Sequence, residues 1–82
     1  MSKPKFDFRY INYFKSLNWI YNSDDLGLYF TKGDIRISIM YHGPVFECYK
    51  NKKINDGWVL IARQNNLLTD KFVYAWMLAN MT

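Results

Sequence analysis

The sequence is poor in the residues on which most small enzymes and secreted domains depend. It holds one cysteine (Cys48), one histidine (His42) and one glutamate (Glu47) in 82 residues. A lone cysteine excludes an intramolecular disulfide, whereas secreted domains of this size are usually stapled by several. That absence points to a reducing compartment, and a cytoplasmic location is expected. The basic start Met1-Ser2-Lys3-Pro4-Lys5 is followed by no apolar signal core. The longest unbroken apolar stretch, Phe72 to Ala79, falls far short of the ~20 residues that span a bilayer. A soluble chain without a membrane partner is therefore expected.

The same scarcity bears on chemistry. Metal binding needs three or four converging ligands, and the sequence clusters none. No glycine-rich segment has phosphate-cradling spacing. Asp24-Asp25 beside Asn22 and Ser23 reads as turn chemistry. A Cys–His pair is the one nucleophilic constellation available. If Gly43-Pro44 is a two-residue turn, His42 pairs with Val45 and Cys48 lies across from Ile39. The two side chains then point to opposite faces of a sheet, and burial among apolar groups makes a thiol inert. Neither an enzyme nor a cofactor is expected.

Aromatic and apolar residues, by contrast, are abundant. They make up 50% of the chain, and Phe, Trp and Tyr alone 20%. A domain of this length buries only about 60–65% of the surface its unfolded chain exposes, so these residues exceed what one core hides. Such a surplus marks a contact surface for another molecule or another copy of the chain.

The pattern predicts one α+β domain over residues 1–82, an antiparallel meander of four to five strands with an N-terminal and a C-terminal helix packed on one face. The first helix runs from about Asp7 to Leu17, with Asp7 as N-cap, a stripe of Phe6, Tyr10, Phe14 and Leu17 with Tyr13 beside it, and Asn18 as a left-handed C-cap. Strands are expected from Trp19 to Tyr21, Leu28 to Lys32 and Asp34 to His42. In the third of these, Ile35, Ile37, Ile39 and Tyr41 alternate with Arg36, Ser38, Met40 and His42. Val45 to Lys50 continues the meander, Asn51 to Asp56 reads as a polar loop, and Trp58 to Arg63 closes the sheet. Short connections make the pairing antiparallel. The last helix spans about Asp70 to Met81, capped by Thr69, and is so apolar that it needs cover on every side.

Two classes of partner follow. The apolar surplus favours another protein, with Tyr74, Met77 and Met81 on the outer side of the last helix and Tyr49 and Trp58 on the sheet as contacts, since such residues concentrate interface energy. The net charge of +4 suggests a nucleic acid or an acidic partner as the alternative. Residues 1–20 carry +3, the run Lys50-Asn51-Lys52-Lys53 another +3, and the remainder −2. Lys5, Arg9 and Lys15 together with Lys50, Lys52 and Lys53 would form a phosphate-binding surface if the two segments meet in space. A homo-oligomer is a further possibility.

In size, aromatic load and helix–meander–helix layout the chain is similar to the stand-alone small proteins of phages and other mobile elements. The likeness is one of type and covers no residue-by-residue motif. It implies an inhibitor or regulator in the host cytoplasm that blocks a nucleic-acid-processing or defence complex.

Overall fold

The computed structural model describes residues 4–82. Its elements are α1 (Phe8–Ser16), β1 (Ile20–Ser23), β2 (Gly27–Lys32), β3 (Ile35–His42), β4 (Val45–Ile54), β5 (Gly57–Leu67) and α2 (Asp70–Met81). The strands form one antiparallel sheet in the order β1-β2-β3-β4-β5, and both helices pack on the same face of it.

Local chemistry explains the elements. The Asp7 carboxylate accepts from Arg9 N at 2.8 Å and caps α1. At the other end Asn18 takes φ 72°; Asn18 N donates to Lys15 O and Trp19 N to Phe14 O, both at 3.1 Å. This is the Schellman pattern, in which two otherwise unpaired carbonyls are satisfied and an apolar residue beyond the cap packs back on the helix. Trp19 does so, buried beside Phe14. Thr69 Oγ1 accepts from Phe72 N and starts α2.

Three consecutive hairpins have two-residue turns: Gly33-Asp34, Gly43-Pro44 and Asn55-Asp56 lie between the pairs Lys32↔Ile35, His42↔Val45 and Ile54↔Gly57. Gly33 and Gly43 adopt positive φ there, which glycine takes without a Cβ penalty. The first connection is longer. The Asp24 carboxylate accepts from Leu26 N and Gly27 N and turns the chain. At Gly27 a Cβ would lie 2.3 Å from Ile39 O, so the backbones of β2 and β3 approach as they do only because the residue is glycine.

Alternation then separates two faces. Leu28 and Phe30, Ile37 and Ile39, and Phe46 and Cys48 point to the helix side and are buried. α1 adds Ile11 and Phe14, and α2 adds Val73, Met77 and Met81. The stripe expected on α1 is thus rotated: Ile11 and Phe14 face the sheet, Tyr10 turns sideways onto α2, and Tyr13 stays exposed. The helices start side by side, with Asp7 N donating to Asp70 Oδ2 at 2.8 Å, and Tyr10 stacks on Tyr74 with ring centroids 4.1 Å apart.

Three boundaries differ from those read in the sequence, the first being β1, which takes Ile20–Ser23 in place of the expected Trp19 to Tyr21. The polar stretch Asn51–Asp56 is not a loop: β4 continues to Ile54 and turns through Asn55-Asp56 alone. The last strand likewise runs past Arg63 to Leu67. Cross-strand pairing beside a formed hairpin outweighs the low strand propensity of Lys and Asn.

The packing makes two stability predictions. Phe14→Ala removes a fully buried ring and is expected to cost about 3–5 kcal/mol in urea unfolding. Gly27→Ala is expected to cost about 1–3 kcal/mol, because its Cβ meets backbone, whereas Gly57→Ala, with open space around it, should fall within about 0.5 kcal/mol of wild type.

Candidate protein-binding face

The helices cover one face of the sheet and leave the other open. Residues directly opposite in an antiparallel ladder share a face, so the register lays out the open one. Tyr29, Ser38, Tyr49 and Arg63 form one row across β2 to β5. Thr31, Arg36, Asn51 and Leu60 form the next, and Lys53 with Trp58 lies beyond it. Met40 pairs with Glu47 on the other side of the tyrosine row.

Side chains on this face hold one another. The Arg36 guanidinium lies over the Trp58 ring, 4.5 Å from its centroid, and the Arg63 guanidinium lies 6.0 Å from that of Tyr49. Each cation is drawn to the negative face of a ring. The Tyr49 hydroxyl donates to Glu47 Oε2 and the Tyr29 hydroxyl to Asp24 Oδ1. The hydrogen bond to Glu47, followed by desolvation, holds the Tyr49 phenol above its usual pKa. His42 Nδ1 is 3.5 Å from Glu47 Oε1. Tyr29, Arg36, Tyr49 and Trp58 are all half-buried in this way, so little rotamer freedom remains to be lost when another surface docks.

The sequence placed Arg36, Ser38, Met40, Glu47 and Tyr49 on the solvent face, and the register agrees. Of the protein-contact candidates, Tyr49 and Trp58 share the open face. The three on α2 need correction. Met77 is fully buried and Met81 is 6% exposed, so both belong to the core. Tyr74 is half-buried between Tyr10, Tyr13 and Phe14. The buried positions Val73, Met77 and Met81 are four apart, which puts them on one side of the helix. The outer side is formed instead by Phe72, Ala75 and Ala79, with Trp76 half-buried at its margin.

The basic segments do not merge. Lys3 lies outside the described residues. Arg9 is tied to Asp7 at 2.7 Å. Phe6, next to Lys5, touches Phe46, whereas Lys50 to Lys53 lie four to seven residues further along β4, about 13–23 Å at the rise of a strand. Lys15 sits in the last turn of α1, which lies over β1, while α2 lies over β4 and β5. The lysine run is itself divided. Lys50 and Lys52 pair with Ile37 and Ile35 on the helix side, and Lys53 pairs with Trp58 on the open face. Strand alternation thus splits a run that looks continuous in sequence.

His42 and Cys48 behave as the register argument required: His42↔Val45 and Ile39↔Cys48 are the pairs found. Cys48 is buried and His42 exposed on the opposite face. Among the described residues no three His, Cys, Asp or Glu side chains converge as metal ligands, and no helix is long and apolar enough to cross a membrane.

Sequence reasoning missed the roles of Arg36 and Arg63 as ring partners and the exposure of Val59, Leu60 and Ile61, each 46–48% accessible. A continuous apolar run normally reads as a strand buried on both sides. The available signal was position: the last strand of a meander is an edge. No protein-family model, curated protein or solved structure matches the chain.

Burial pushes the Cys48 thiol up from 9.0 to about 12. Because the folded pKa is the higher one, this group favours the fold fully below the unfolded pKa, and that contribution is lost as pH rises toward 12. Urea titrations should show Cys48 contributing a decline of roughly 1.4 kcal/mol per pH unit between about pH 9 and 12, and Cys48→Ala should remove that component.

Proposed function

We propose that the chain is a non-enzymatic protein-binding module whose open sheet face docks on another protein. The observation that carries this is the pairing of Arg36 with Trp58 and Arg63 with Tyr49 on an uncovered sheet face. Trp, Tyr and Arg are the residue types that dominate interface energetics, and here they are held in place before contact. Arg36, Arg63 and Lys53 supply the positive charge of the face. The carboxylates of Glu47 and Asp24 are each engaged by a tyrosine hydroxyl. The partner this favours is an acidic protein surface with apolar recesses for the Trp58 and Tyr49 rings. Net charge of +4 would speed the encounter with such a surface.

Within that reading, the chain is an inhibitor or regulator of the phage type, occluding a site on a host nucleic-acid-processing or defence complex. Small size and an ordered open face support occlusion as the mode of action. The nucleic-acid alternative loses the continuous basic tract on which it depended, because the two segments are apart and Lys50 to Lys53 divide between faces.

Affinity capture from the cells that express the chain, wild type beside Trp58→Ala and Arg36→Glu, tests the proposal. A protein held by wild type is expected to bind Trp58→Ala with about 2 kcal/mol less energy, roughly 30-fold weaker, with thermal unfolding little changed. Capture of no protein, or equal capture by both variants, overturns it. Salt-sensitive retention of DNA or RNA in its place would restore the nucleic-acid alternative.

A further inference from the structure

β5 differs from the other edge of the sheet. β1 has four residues, whereas β5 has eleven. Among the described residues β5 hydrogen-bonds to β4 alone, so one row of its backbone N–H and C=O groups has no ladder partner there. Natural sheets guard such edges with lysine, proline or bulges. β5 contains neither lysine nor proline. It does contain register shifts. Lys50↔Ala62 and Asn51↔Leu60 leave Ile61 without an opposite residue, and a second irregularity lies at Asn65-Asn66. Val59, Leu60 and Ile61, beside the first shift, are nonetheless about half exposed in succession.

The adjoining helix has the same need. α2 packs over β4 and β5, and its outer side of Phe72, Ala75 and Ala79 is uncovered. Leu68, in the β5–α2 connection, is 66% exposed and Phe72 56%. Val59, Ile61, Leu68 and Phe72 together leave on the order of 400 Å² of apolar surface on this flank, against about 800 Å² that each partner contributes to a stable interface. The strand backbone and the side chains of Ala75 and Ala79 extend the flank toward that area.

We propose that this flank takes a second copy of the chain, with β5 pairing antiparallel to β5 of the partner about a two-fold axis. A two-fold sets each surface against its own copy, so a charged flank would repel itself. This one is nearly free of charge. β5 carries Arg63 alone, and α2 has Asp70 and Lys71 in its first turn and no charge after them. One rotation completes the ladder of β5 and brings the uncovered sides of the two α2 helices toward each other. It also joins the two open faces into one continuous sheet, with Trp58 and Arg63 of both copies near its centre. The inference goes beyond the binding proposed for the open face, which concerns a different surface and a foreign partner.

Light scattering on the eluting protein, from micromolar to near-millimolar concentration, tests the inference. Wild type is expected at about twice its chain mass of 9.9 kDa. Ile61→Lys and Ala79→Arg, both at exposed positions, are expected to return to single-chain mass with unchanged circular dichroism, and amide exchange of β5 should quicken on dissociation. A wild-type chain that stays monomeric throughout overturns the inference, as does a dimer that survives both substitutions. Each result is independent of whether Trp58→Ala loses a foreign partner.

Discussion

The start of α1 and the start of α2 are 63 residues apart in the chain and tied by one hydrogen bond, from Asp7 N to Asp70 Oδ2. From that point both helices run across the same face of the sheet, and Tyr74 fills the space between them against Tyr10, Tyr13 and Phe14. Much of the remaining architecture depends on this pairing. A sheet buries a face only where something covers it, and two helices of 9 and 12 residues cover one face of five strands. The other face is left to solvent by arithmetic of area.

The side chains of the open face are ordered by short-range pairing. Guanidinium–ring contacts and tyrosine–carboxylate hydrogen bonds take the place of packing from above, and they hold Tyr49, Trp58 and Arg36 half-buried without a covering layer, with the exposed Arg63 lying against Tyr49. An ordered, uncovered set of aromatic and arginine side chains gives a partner a rigid surface at small entropic cost. The helix face is different in kind. There the large residues are consumed by the core, as the burial of Met77 and Met81 shows, and part of the surplus of apolar surface reappears at the β5 flank.

Much of the fold was legible because it follows from local chemistry. The Asp7 and Thr69 caps, the left-handed Asn18, the Gly43-Pro44 hairpin and the alternation of Ile35 to His42 each act within a few residues, and the elements they predict are present. The end of the Val45 strand was less legible, since Asn51 to Lys53 lack strand propensity and are held in the ladder by partners on β5. The candidate site was half legible. Tyr49 followed from the hairpin register, whereas the ring partner of Trp58 is Arg36, 22 positions away and two strands distant, which no local signal reveals.

What the sequence determined by itself was the type and order of the elements, the opposition of His42 and Cys48 across the sheet, and the presence of more apolar surface than one core hides. Each follows from spacing, turn chemistry or composition, which operate along the chain. Which residues of α2 face inward, whether the basic segments meet, and where the apolar surplus emerges were decided only in tertiary structure. Those outcomes depend on the rotation of α2 against Tyr10 and Phe14, on strand alternation dividing Lys50 to Lys53, and on β5 standing last in the strand order. A helix that is apolar on nearly all sides has little amphipathic bias to orient it, so the packing partner sets its rotation.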